Sequence, residues 1–198
     1  MPLFSRLSQQ AVALWAKTDQ ADPHGGWLPL YQHMADSAET VRLLWRYWLA
    51  ESTRHEVIAH AGSSEAAEAL AVWLAAVHDL GKAAPGFQHK AFKVPQLVNQ
   101  VRDAGLPILN LVPPHPPRHA LMSQVLLKRW LVEERGWKSP VALTYAIIPG
   151  GHHGAPPNSR DERLLRTTPP LSSTIGPESG PWRAVQDELC AWNEDRSG

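Results

Sequence analysis

A histidine followed at once by an aspartate, His78-Asp79 within Val77-His78-Asp79-Leu80-Gly81-Lys82, is answered far downstream by a second doublet, His152-His153. These residue types favour metal chemistry. Imidazole nitrogen suits transition metals, and the two oxygens of a carboxylate can each face a different ion, so adjacent His and Asp can nucleate a two-ion centre. Two more histidines stand where helices are expected to begin: His33, with Asp36 and Ser37 one turn on, and His119, which opens a stripe of Met122, Ser123, Leu126, Leu127 and Trp130. Taken singly, His33 and His119 read as structural histidines. Together with the doublets they form a set: helix start, helix end, helix start and glycine loop supply His33, His78, Asp79, His119, His152 and His153. Asp36 shares a helix face with His33 and is placed to orient its ring. His24, His55, His60, His89 and His115 read as structural or solvent-facing, since none pairs with a second ligand type at a helix end or glycine loop.

Helices are needed to hold these groups, and the hydrophobic spacing predicts them with almost no strand. A first long helix is expected from Pro29 or Leu30 to about Leu49, with Met34, Ala38, Val41, Leu44, Trp45 and Trp48 facing inward. A second, capped by Ser64 with Glu65 and Glu68 in its first turn, carries Leu70, Trp73, Leu74 and Val77 and stops at Gly81, which puts His78 and Asp79 in its last turn. Residues 83 to 117 read as an irregular surface connection with some short helix. A helix from Arg118 to Arg135 follows, ended by Gly136. Val141 to Ile148 is expected as a short buried helix, halted by Pro149-Gly150-Gly151 so that His152 and His153 hang on a tight loop. Ala155 to Pro181 reads as a mobile loop, and Trp182 to Trp192 as a final helix.

The composition fits one domain: 198 residues with 43% hydrophobic content suffice for one sizeable core and hardly for two. Cys190 is the single cysteine and cannot form an internal disulfide, and Met1 to Arg6 has no signal-peptide character, so a cytoplasmic protein is expected. The longest unbroken apolar run, Ala69 to Val77, is far short of the roughly 20 residues that span a bilayer. Nineteen basic residues balance nineteen acidic ones, which argues against holding nucleic acid by bulk electrostatics. Locally the balance tips. Lys82 to Arg135 holds eight Lys or Arg against Asp103, Glu133 and Glu134, a pattern open to either a solvated face or a phosphate-facing patch. Most of the nine tryptophans fall on core-facing helical positions, leaving Trp27, Phe87 and Phe92 as places where stacking on a base is conceivable.

The string Trp73 to Lys82, followed by Phe87-Gln88, by Arg118-His119 with Ser123, and by Gly150-Gly151-His152-His153-Gly154, resembles the HD nuclease domain of the type I CRISPR-associated helicase-nuclease. The opening Trp27-Leu28-Pro29-Leu30 with His33, Asp36 and Ser37 fits as well, and the likeness runs over nearly the whole chain. It implies an all-α fold, an HD-domain helical bundle around a di-metal site, forming a single domain over residues 1–198. It also implies a single-stranded DNA nuclease of CRISPR interference, working with a helicase domain or subunit and a guide-RNA surveillance complex. Carried over, His33, His78 and Asp79 hold one ion, while Asp79, His119, His152 and His153 hold the other. Lys82 approaches the scissile phosphate, and Asp36 and Ser123 support the ligands. With so much imidazole, manganese, iron, cobalt or nickel suit better than magnesium.

Two departures bear on activity. The family carries a further aspartate ligand in a later helix reading roughly Ala-Asp-Trp, and no such string is present, so the domain is expected to end short of that helix. There is also no Gly-x-x-x-x-Gly-Lys-Ser/Thr loop, so no helicase motor and no nucleotide cofactor are expected here. Two alternatives therefore stand beside the nuclease: an inactive HD fragment that only docks, and an HD phosphohydrolase acting on nucleotides.

Overall fold

A computed structural model of the chain describes residues 7–19, 26–108, 113 and 116–197, without the side chains of residues 92 and 93. Among these residues the fold is helical apart from one two-stranded ribbon, as the spacing predicted. His24, His115, Met1 to Arg6 and the side chain of Phe92 lie outside the described residues.

The chain opens with a short helix α1 (Gln9–Ala13), capped by Ser8, whose hydroxyl accepts from the Ala11 N–H. Ser8 in turn donates through both its backbone N–H and its hydroxyl to the Glu188 carboxylate, tying this end to the last helix. Strand β1 (Trp15–Thr18) then pairs antiparallel with β2 (Trp27–Pro29), with a register shift between Trp15 and Lys17. The ribbon leads straight into α2 (Leu30–Tyr47), whose first residue donates to Leu14 O at 2.8 Å. Leu30 and Met34 are fully buried, which fixes the rotation of the first turns and so the direction in which His33 projects.

Helix α3 (Glu51–Ala61) was not foreseen; it buries none of its residues and ends at Gly62 in the left-handed conformation. Helix α4 (Ser64–Ala76) packs on α2 and buries Ala67, Val72, Trp73 and Ala76. Its cap is Ser63 rather than Ser64, and only Glu65 falls in its first turn, not Glu68. It also ends earlier than Gly81. Val77 and Asp79 leave helical geometry (ψ of 3° and 19°), and a 3-10 turn, Leu80–Lys82, takes over.

Much of residues 83 to 108 is core, not a surface connection. Ala83 and Ala84 are buried, as are Phe87 on α5 (Pro85–Gln88) and Leu97 and Val101 on α6 (Pro95–Asp103). The fully buried Gln88 amide donates to Trp15 O and Lys82 O at 2.9 and 2.8 Å and accepts from the Trp15 N–H. Prolines and short apolar runs look like loop in a linear reading, yet here each short helix hides an apolar face.

Helix α7 (His119–Glu133) matches its expected span and inward stripe. It is followed by α8 (Ser139–Gly150), which is not the buried helix expected: Val141, Ile147 and Ile148 are exposed, and only Ala142, Ala146, Pro149 and Gly150 are buried. The stretch read as a mobile loop holds two helices, α9 (Ser159–Thr167) and α10 (Pro169–Ile175). The signal was present in Asn158 and Asp161, which form a reciprocal capping box. Helix α11 (Pro181–Ser197) closes the fold, and the fully buried Cys190 on it is a free thiol.

Candidate metal centre

Four separate segments converge on Asp79. His33 comes from the first turn of α2, His78 from the turn after α4, His119 from the first residue of α7, and His152 and His153 from the turn after α8. Asp79 Oδ2 lies 2.7 Å from His33 Nε2 and 3.1 Å from His78 Nε2. Its other oxygen, Oδ1, lies 3.1 Å from His119 Nε2 and 3.4 Å from His152 Nε2. His153 Nε2 stands 2.9 Å from His119 Nε2. The histidines thus divide into two groups with metal-ligating spacing, His33 and His78 with Asp79, and His119 with His152 and His153.

The turn that aims Asp79 is set by Gly81. A β-carbon there would stand 2.0 Å from His119 O and 2.6 Å from Ser123 N, so only glycine lets this turn lie against the backbone of α7. Ser123, fully buried, accepts the Gly81 N–H at 2.8 Å. One contact therefore locks the Asp79 turn to the helix that begins with His119. Phe87, packed between Trp15 and His119, supports the His119 ring from below. It is buried, so it is not available to stack on a base.

The imidazoles are oriented through their other nitrogens. His78 Nδ1 and His152 Nδ1 donate to the carbonyls three residues back, Ala75 O at 2.7 Å and Pro149 O at 2.5 Å. With Nδ1 turned to a carbonyl, each Nε2 is left to face Asp79 or another imidazole, the orientation a metal ligand needs. Asp79 Oδ1 is buried and accepts no hydrogen bond despite its two histidine neighbours. A buried carboxylate oxygen with no hydrogen-bond donor, faced by imidazole nitrogens at this range, is a place where a cation would fit. Nitrogens bound about 2.1 Å from a shared ion at right angles stand about 3 Å apart, matching the 3.2 and 2.9 Å separations around His119 Nε2. The donor set fits divalent transition metals.

The electrostatics differ across the cluster: burial pulls His78 down, but its hydrogen bond to Asp79 and that residue's charge raise it overall. Burial alone would push the Asp79 carboxyl up, but the imidazoles of His119, His33 and His78 hold it far below the usual carboxylate range. Burial pushes His152 down, and burial together with His152 does the same to His153, so both favour the neutral, ligating form.

Relatives now carry weight. The model of the family described as Cas3, HD domain, matches residues 15–198. A CRISPR-associated nuclease/helicase Cas3 of Streptococcus thermophilus is 33% identical over 160 residues, 74% of this chain and 16% of that protein. A CRISPR-associated endonuclease/helicase Cas3 of Thermus thermophilus is 32% identical over 169 residues, 83% of this chain and 17% of that one. A crystal structure of a CRISPR-associated protein superposes with a TM-score of 0.77 at 28% identity, covering 99% of this chain and 20% of its own. The chain belongs to the Cas3 HD-domain family. It spans about a sixth of the length of the curated relatives it matches.

Within this HD domain the remaining expected site residues divide. Lys82 is buried and its ammonium lies 2.8 Å from Asp79 Oδ2. Asp36 does not orient His33: its carboxylate is exposed and accepts from Gln32 Nε2. Of the Lys82 to Arg135 cations, Lys82, Lys128, Arg129 and Arg135 are each ion-paired, so the stretch is no single phosphate-facing patch. Asp79 is the sole carboxylate in either group of ligands among the described residues. Asp187, downstream, instead pairs with Arg129 and Arg183. His55 and His60 lie on the exposed helix α3, and His89 falls outside both groups of ligands. The two carbonyls that fix the imidazoles were invisible in the sequence, since any residue supplies one; Gly81 was visible but its close approach was not. Among the described residues no helix is long and apolar enough to cross a membrane.

Proposed function

We propose that this Cas3 HD domain is a metal-dependent single-stranded DNA endonuclease module of CRISPR interference, acting in the cytoplasm with a helicase and a guide-RNA surveillance complex. The observation that carries the reading is the division of histidines between the two oxygens of one buried carboxylate. His33, His78 and Asp79 would hold one divalent ion; Asp79, His119, His152 and His153 would hold the second. When bound, such ions polarise a phosphoryl oxygen and supply a strong nucleophile near neutral pH.

The protein's own groups do the rest. The histidines around Asp79 hold its carboxyl low despite its burial, which favours the ionised form an ion would need. The Nδ1 bonds of His78 and His152 keep their Nε2 atoms pointed inward without a reorganisation step. Lys82 has three ammonium protons and gives one to Asp79, leaving two with which to meet a non-bridging phosphate oxygen.

Having Asp79 as the one carboxylate among the described ligands favours a second reading, a folded docking module that turns over poorly. Metal analysis and cleavage of circular single-stranded DNA with manganese or nickel, for the native chain and Asp79→Ala, separates them. Two ions per chain with cutting that falls on the order of 10³-fold in the variant is the expected result. Bound metal without cutting would move the conclusion to the docking module. Hydrolysis of nucleotides but not of DNA would make the domain a nucleotide phosphohydrolase.

A further inference from the structure

A cavity of about 540 Å³ opens beside the metal centre, and His153 belongs to both. More of its lining is apolar than polar, with Pro117, Leu121, Pro156 and Leu164 contributing, and its polar groups include His153, Arg118, Asn158 and Asp161. Arg118, the residue capping α7, is exposed, and its guanidinium has no hydrogen bond or ion pair among the described residues. A metal ion or free phosphate would want polar walls. A flat ring wants what is present here, an apolar slot with a cation where the ring joins a charged backbone.

We propose that this cavity receives the nucleobase next to the cleaved phosphodiester, with Arg118 contacting the phosphate of that nucleotide; the proposal rests on the reading of the site as a DNA nuclease. It gives a physical reason for preferring single strands, because a base can leave its stack for a pocket cheaply only when it is unpaired. It also gives a reason for tolerance of sequence. Two acceptors at the cavity's edge are engaged in capping α9: Asn158 Oδ1 accepts from the Arg160 and Asp161 N–H groups, and Asp161 Oδ2 accepts from the Asn158 N–H. Proline walls have no N–H to offer a base edge. The cavity recognises a ring, not a particular base.

The test is binding of a short fluorescent single-stranded oligonucleotide, intact or abasic throughout, measured by anisotropy in EDTA so that nothing is cut. Native protein is expected to bind the intact strand about tenfold more tightly than the abasic one. Ala155→Trp, which fills the cavity from an exposed position, and Leu164→Gln, which makes its wall polar, should each erase that preference while leaving affinity for the abasic strand unchanged. Arg118→Gln should lower the slope of log affinity against log salt by about 0.7 for both strands. Equal binding of the two strands by native protein, unchanged in both cavity variants, overturns the base subsite and leaves the nuclease reading standing. Failure of native protein to bind either strand in EDTA overturns the base subsite and leaves the metal-dependent nuclease reading to the cleavage assay. Should Ala155→Trp not fold, as judged by circular dichroism, Leu164→Gln carries the same comparison.

Discussion

The two ends of α2 are built from similar residues and meet opposite fates. At its start, Leu30 and Met34 are fully buried beneath the ribbon, and His33 is held 2.7 Å from Asp79. At its end, Tyr47 and Trp48 are 83% and 77% exposed, Leu43 and Leu44 stand partly in solvent, and the next helix, α3, buries nothing. Leu44 and Trp48 therefore do not face the interior, as their spacing suggested. An amphipathic pattern says which side of a helix is apolar; it does not say how far along the helix the rest of the molecule reaches to cover it. In this fold the end that carries His33, a candidate ligand, is covered, while at the far end only Trp45 is buried.

That contrast can be tested by treating the two ends as a rigid and a permissive region. The largest effect is expected at Gly81, where a methyl group must displace the backbone of α7: Gly81→Ala should lower unfolding free energy by about 3 kcal/mol in urea denaturation. A wild-type-like midpoint would show that the turn and α7 are not locked together. Next, a manganese or nickel concentration about 100-fold above its dissociation constant should raise stability by about 2.7 kcal/mol, reversibly with EDTA. The gain should vanish in Asp79→Ala and persist in any variant at the far end of α2. A gain that survives Asp79→Ala would place the ion elsewhere.

Ser123→Ala leaves the Gly81 N–H without its acceptor and should cost about 2 kcal/mol, with a parallel loss of metal affinity because the Asp79 turn loosens. Stability lost without any change in metal affinity would separate packing from ligand placement. The smallest effect belongs to the exposed end. Trp48→Ser should shift stability by no more than about 0.5 kcal/mol, and a larger loss would mean that this end is packed after all.

How much could be read in advance follows the same division. His78-Asp79 and His152-His153 were legible as candidate ligands because their types, doublet spacing and neighbouring glycines mark them locally, and His33 and His119 because each sits where a helix starts. The structure brings all six together. Asp36 failed because a shared helix face leaves open which neighbour a carboxylate takes, and Gln32 was equally close. Gln88 and the core around α5 and α6 were misread as surface because their burial depends on contacts such as Trp15 to Gln88, distant in sequence. Helix α9 was missed although its capping box was present, because proline and serine around it outweighed that signal.

By itself, then, the sequence determined the helical class and the candidate ligands with their order along the chain, all of which depend on residue type and short-range spacing. Tertiary structure alone decided which oxygen of Asp79 each histidine faces, that Gly81 must lie against α7, and that an apolar cavity opens beside His153. Those outcomes depend on distances between segments far apart in the chain, which close packing of the folded protein sets to a fraction of an ångström and no local pattern encodes.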